Sequence, residues 1–117
     1  MRRYTHWVFT AMFALAMAIG AMAFAQEPIR IGVFGPMTGG AAGYGQSERE
    51  AVDLVVDEIN AAGGLLGRKI HVVYGDDAGK PEQAVSIVKK FITADKVLLM
   101  VGGISSPTSM SASQVTL

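Results

Sequence analysis

Two stretches of this sequence gather glycine with hydroxyl or aromatic side chains, the residue types that hold a small polar solute by hydrogen bonds. The first runs from Gly35 to Gly45, with five glycines and one proline in eleven residues and Tyr44 near its end. The second runs from Gly102 to Ser109 and offers Ser105, Ser106, Thr108 and Ser109 as hydroxyl donors. A helix is expected after each stretch, and the unpaired N–H groups of a helix start favour an anion such as a carboxylate. Tyr44 combines a flat apolar face with a phenolic hydroxyl, which suits covering a small amphipathic ligand. Each feature also has a plainer role. Serine and glycine after a strand are common turn and cap residues, and a lone tyrosine is commonly a packing residue.

Other chemistries find less support. Asp76-Asp77 are two adjacent acids without further ligands, a pattern that reads more readily as a turn and cap than as a metal site. His71 falls inside an expected strand and reads as a partly exposed sheet residue. Gly32-Val33-Phe34-Gly35 does not fit the G-x-G-x-x-G fingerprint, and no G-K-[ST] occurs. No set of nucleophile, base and orienting residue is recognisable, so no catalytic residue, metal or cofactor is expected. The chain has no cysteine, which excludes a disulfide framework and thiolate metal sites.

The elements that would position these loops are legible from periodicity. Ile29 to Phe34 is a short β-branched run ending in Gly35-Pro36, as a buried strand should. Val52, Val55, Val56 and Ile59 recur at helical spacing, with Ser47 as the expected N-cap and Glu50 completing a capping box. Asn60 to Gly64 closes that helix. Lys69 to Tyr74 is the second strand, Asp76 to Lys80 a turn, and Pro81 the first residue of a second helix. In that helix Ala84, Ile87, Val88, Phe91 and Ile92 form the apolar stripe, and Lys89 and Lys90 suit the end of the dipole. Val97 to Val101 is a third strand, expected to be buried on both faces. The result is an α/β fold: an open parallel βαβαβ sheet with right-handed crossovers. With strand order 2-1-3, both glycine and hydroxyl loops converge where the order reverses, the usual ligand crevice of such sheets.

The N-terminus reads as an export signal. Met1-Arg2-Arg3 is basic, an apolar run extends from Trp7 to about Gly20, and Ala23-Phe24-Ala25 is a small-x-small cleavage pattern. Residues 1–25 are therefore expected to be a signal peptide cleaved after Ala25, leaving 26–117 as the mature part. Without Arg2 and Arg3, eight Lys and Arg face ten Asp and Glu, and a basic footprint for nucleic acid is missing.

Four segments resemble, in order, the start of leucine/isoleucine/valine-type periplasmic binding proteins: GPMTG with YG, EINAAGGLLGRK, DDAGKPEQAV and VGGISSPTS. The likeness runs from about Ile29 to Ser113. It implies a type I periplasmic binding fold, of which this chain is part of the N-terminal lobe, with two lobes closing on a solute. It also implies a periplasmic location and an ABC permease in the membrane as partner for delivery of a branched-chain or related amino acid. By the same resemblance Tyr44 matches a tyrosine that helps cover the ligand, and Ser106 a serine that binds its carboxylate, with Ile104 and Ser105 alongside. Gly79 and Ser105 stand where some members have a disulfide pair. The remaining binding loop, the hinge and the second lobe are expected beyond Leu117, so the chain alone is expected to bind poorly. The alternative is a sensing module of the same fold for amides, urea or other small solutes.

Overall fold

The computed structural model describes residues 26–116, so the expected export signal lies outside the described residues. Strand β1 (Ile29–Gly35) leads into helix α1 (Ala42–Ala61), strand β2 (Ile70–Asp76) and helix α2 (Pro81–Lys90). A π-helical turn (Phe91–Asp95), strand β3 (Leu99–Gly102) and helix α3 (Ser106–Thr116) complete the order. The three strands are parallel, as the alternation of strand and helix patterns predicts, and they lie in the order β2-β1-β3. Ile29 to Gly35 pair with Ile70 to Asp76, and Ile31 to Phe34 pair with Leu99 to Gly102.

Side chains alternate across the pleat of β1. Gly32 and Phe34 face α2 and α3, where Phe34, Ala84, Val88, Phe91 and Ala112 form the core. Phe91 lies so close over Gly32 that a Cβ there would enter its ring. On the other side of the pleat, Gly35 faces Glu48 of α1. The far end of α1 is pinned to β2 by one residue. Asn60 donates from Nδ2 to the Ile70 carbonyl at 2.9 Å, and its Oδ1 accepts the Ile70 N–H at 2.7 Å. Pro81 opens α2 with Glu82 in the first turn and Lys89 and Lys90 in the last, a charge order that complements the helix dipole. His71 is an exposed residue of β2, opposite Arg30 in the register. No helix among the described residues is long and apolar enough to cross a membrane.

Several expected boundaries are corrected. Helix α1 begins at Ala42, with Ala41 in the cap position and no side-chain cap bond, so Ser47 and Glu50 form no capping box. The glycine-rich run itself starts the helix: the Ala42 N–H donates to the Gly39 carbonyl and the Tyr44 N–H to the Ala41 carbonyl. Gly45 can then press against the Pro36 carbonyl, an approach closed to any side chain. The valine stripe is also only partly covered, since Val55 is exposed while Val52, Val56 and Ile59 are half-buried. Strand β3 starts later than Val97 and is not buried on both faces. Leu98, Leu99 and Val101 are exposed, and β3, paired only with β1, forms an edge of the sheet. Val97 is drawn instead into the close of the π-helical turn, where its N–H donates to the Phe91 carbonyl at 3.1 Å and Lys96 adopts a left-handed φ of 54°. The expected loop to Ser109 is shortened, because α3 already begins at Ser106.

Candidate ligand-binding site

The carboxyl ends of β1 and β3 meet where the strand order reverses. The Gly103 N–H donates to the Phe34 carbonyl at 3.1 Å, carrying the pairing of β1 with β3 one step past the strand. Ile104 then rests against the end of β1. A Cβ on Gly35 would lie 3.3 Å from its Cδ1. The two glycine-rich loops are thus brought together as the topology requires, with Ile104 at the seam between them, touching Gly35 while remaining exposed.

The first loop is held by an acid that the sequence pattern assigns to a turn. Asp76, at the end of β2 and opposite Gly35 in the register, accepts the Met37 N–H at 2.9 Å and the Thr38 N–H at 3.2 Å. It also accepts the Thr38 hydroxyl at 2.6 Å and the Ala78 N–H at 2.9 Å. The Thr38 hydroxyl, opposed by burial and aided by these backbone N–H groups, holds the Asp76 carboxyl below its ordinary range. A lowered carboxyl contributes stability above its unfolded value of about 3.9 and loses that contribution as pH falls through the folded value. Asp76→Ala should therefore cost about 1 kcal/mol at neutral pH, a value kept small by solvent exposure. It should flatten the acid limb of the stability curve and speed hydrogen exchange at Met37 and Thr38. Chemical denaturation at several pH values, with amide exchange at those two positions, measures both effects.

The second loop sorts its hydroxyls. Ser105 caps α3: its Oγ lies 2.9 Å from Thr108 Oγ1, and its carbonyl accepts the Thr108 hydroxyl at 2.8 Å and the Ser109 N–H at 3.0 Å. The Ser109 hydroxyl donates to the Gly103 carbonyl, and Thr108 is buried. Ser106, exposed at the first position of α3, makes no side-chain hydrogen bond to another described residue. Of the four candidate donors, Ser106 is the one left for a ligand at a helix start.

Tyr44 stands in the first turn of α1 and is 71% exposed. With Gly40, Ala41, Gly43 and Ser47 it lines an open hollow of about 300 Å³. That hollow is built from the first loop and the start of α1, without Ile104, Ser105 or Ser106 in its lining. The structure therefore joins Ile104 to the first loop, turns Ser105 into a cap, and leaves Tyr44 and Ser106 as the open polar groups of the two loops. Asp76, Thr38 and Gly45 hold the first loop in place, and the sequence pattern does not single them out as site residues. The only signal in the sequence was an aspartate ending a strand. Among the described residues no group of three or more His, Asp or Glu side chains gathers for a metal ion.

Comparison with known proteins places this geometry. The sequence pattern of the periplasmic binding protein family matches residues 28–116. The Leu/Ile/Val-binding protein homolog 2 of Brucella abortus is 41% identical over 97 residues, which cover 80% of this chain and 25% of that protein. The branched-chain amino acid transporter substrate binding protein LivJ of Streptococcus pneumoniae, solved in complex with isoleucine, superposes with a TM-score of 0.74 at 36% identity. That match covers 76% of this chain and 26% of LivJ. A solute binding protein of an ABC transporter from Rhodopseudomonas palustris, solved with 3,4-dihydroxy benzoic acid, superposes with a TM-score of 0.70 at 28% identity, over 77% of this chain and 24% of that one. The chain spans about a quarter of the length of the curated relatives it matches.

Proposed function

The chain belongs to the periplasmic binding protein family, and on that premise we propose that it supplies one wall of the ligand crevice of an extracytoplasmic solute-binding protein. That protein takes up a branched-chain or related amino acid and delivers it to an ABC permease. Residues 26–117 are part of its N-terminal lobe, and residues 1–25 are a signal peptide that directs it to the periplasm. Capture in such a fold depends on a second wall closing over the solute, which buries it and excludes water. The reaction is binding and release, with no bond made or broken.

The observation that carries this reading is the hydroxyl of Ser106, which has no described side-chain partner at the start of α3, beside the seam formed by Ile104 and Gly35. A hydroxyl and helix N–H groups at one point suit a carboxylate, by charge-assisted hydrogen bonding and by the positive end of the dipole. The exposure of Tyr44 in the first turn of α1 supports a role for its ring in covering the ligand. Ser106→Ala in the intact protein is expected to weaken binding of leucine, isoleucine or valine by ~1–3 kcal/mol. Calorimetric titration checks this, and an unchanged affinity removes Ser106 from the site.

A second ligand class is favoured by one observation. The Rhodopseudomonas palustris relative was solved with an aromatic acid, which shares the carboxylate but not the amino group. Amides and urea, the ligands of the sensing alternative, lack the carboxylate that the start of α3 suits. A thermal-shift screen of the intact protein against amino acids, aromatic acids, amides and urea separates these readings.

A further inference from the structure

Two buried carboxylate oxygens, Glu48 Oε2 and Asp77 Oδ2, have no hydrogen-bond partner among the described residues. Asp77 is fully buried. Its Oδ1 accepts the Gly79 N–H at 2.7 Å, and its own N–H donates to the Gly35 carbonyl at 3.0 Å. Glu48 reaches from α1 to the same point of β1, since a Cβ on Gly35 would lie 2.7 Å from Oε2. Both acids thus converge on Gly35, the last residue of β1 before the first ligand loop.

Among the described residues no cation forms an ion pair with either acid. Arg49, next to Glu48 on α1, pairs with Asp53 and stacks over the Tyr74 ring at 4.5 Å. Arg30 stands at the other end of β1 and donates to the Asp95 carbonyl. Lys80, on the turn that carries Asp77, forms no ion pair with either acid, and neighbouring Asp76 is held by Thr38. The segment from Pro36 to Ala41, β3 and the described residues of α3 contain no acidic or basic side chain. Two carboxylates that bring buried, partnerless oxygens to one point without an ion-paired counter-charge are costly, and such a pair can resolve the conflict by keeping one proton.

We propose that Glu48 and Asp77 share one proton, Glu48 donating as a neutral carboxylic acid to Asp77 Oδ2, and that this bond fastens α1 to the turn between β2 and α2. The first ligand loop, between Gly35 and α1, is then held at its outer edge by Asp76 and at its root by this pair. Glu48 and Asp77 are positioning residues. Their bond does not depend on what the crevice binds, and only its effect on affinity rests on the function proposed above.

Burial raises the Glu48 carboxyl above its ordinary range, and the charge of Asp77 raises it further. A carboxyl raised on folding contributes stability that is complete below its unfolded value of about 4.3 and is lost as pH rises through its folded value. The test compares thermal unfolding of the intact, ligand-free protein and its Glu48→Gln variant across that range. The glutamine amide can make the same donation to Asp77 without titrating. The expected result is a Tm gap in favour of the variant that is absent at acid pH and opens as pH rises. Wild type should also show a protonated-carboxyl infrared band at a pH just above the unfolded glutamate value, missing from Glu48→Gln. Parallel pH profiles, or absence of that band from wild type, would overturn the proposal. So would stabilisation by millimolar calcium that Glu48→Gln abolishes, since a cation would then occupy the place of the proton. Because all measurements omit the ligand, their failure leaves the transport reading untouched.

Discussion

Phe91→Ala is expected to lower folding stability by about 3–5 kcal/mol, the range for removing a fully buried aromatic ring from a core that cannot collapse around the space. Phe91 is 1% exposed at the junction of α2 and the π-helical turn. It packs with Phe34, Ala84, Val88 and Ala112, and its ring occupies the space over Gly32 that any other residue would fill with its own Cβ. Neither Gly32 nor Ala84 has atoms to move into the hole, so most of the lost contact stays lost. Denaturant unfolding of the intact protein measures the change. The reciprocal relation gives a sharper check. Gly32→Ala, which collides with the ring in the wild-type background, should cost much less in the Phe91→Ala background, a coupling that a double-mutant cycle isolates.

Gly45→Ala is the second large effect, and its sign is the informative part. In an exposed helix interior, glycine to alanine stabilises by about 0.5–1 kcal/mol, because alanine loses less backbone freedom on folding. Gly43, in the same turn of α1, has nothing within 4 Å of an added Cβ, so Gly43→Ala should show that gain. Gly45 is buried, and a Cβ there collides with the carbonyl of Pro36, a backbone atom that cannot step aside without moving the first ligand loop. Gly45→Ala should therefore destabilise by about 1–3 kcal/mol, the usual cost of overpacking. It should also weaken ligand binding, since Tyr44 and the loop shift with it. Equal stabilisation by both substitutions would mean that α1 does not press on Pro36 in solution.

The comparison of these two glycines shows how far pattern reading reaches. Gly43 and Gly45 are alike in sequence: both belong to a glycine-rich run, and both are read as loop. One is a free helix position and the other a contact point, a difference made by Pro36 lying against α1. The capping box fails for the same reason. Ser47 and Glu50 have the right spacing, but the glycines before them can themselves turn into the helix, so the cap falls at Ala41. The third strand was legible as a strand by its apolar run, while its exposure was not. Burial of a strand's faces depends on what packs over them, and that is set by how the helices dock.

The site divides in the same way. That the two loops meet follows from the strand order 2-1-3 taken for the sheet, which the structure shows. Which hydroxyl in the second loop has no described side-chain partner was not, because Ser105, Ser106, Thr108 and Ser109 are chemically near-equivalent until α3 forms and engages three of them. Asp76 was read as a turn residue, and it does accept the Ala78 N–H, but its grip on Met37 and Thr38 spans 39 and 38 residues.

What the sequence determines by itself is what short-range physics controls. Alternation of apolar residues, helix stops at glycine and the βαβ order depend on each residue and its near neighbours, and they suffice for an open parallel sheet. What only the tertiary structure decides is which distant groups meet: Glu48 with Asp77 over Gly35, Phe91 with Gly32, Asp76 with the first loop. These meetings are set by strand register and helix docking, where a shift of one residue would exchange every partner.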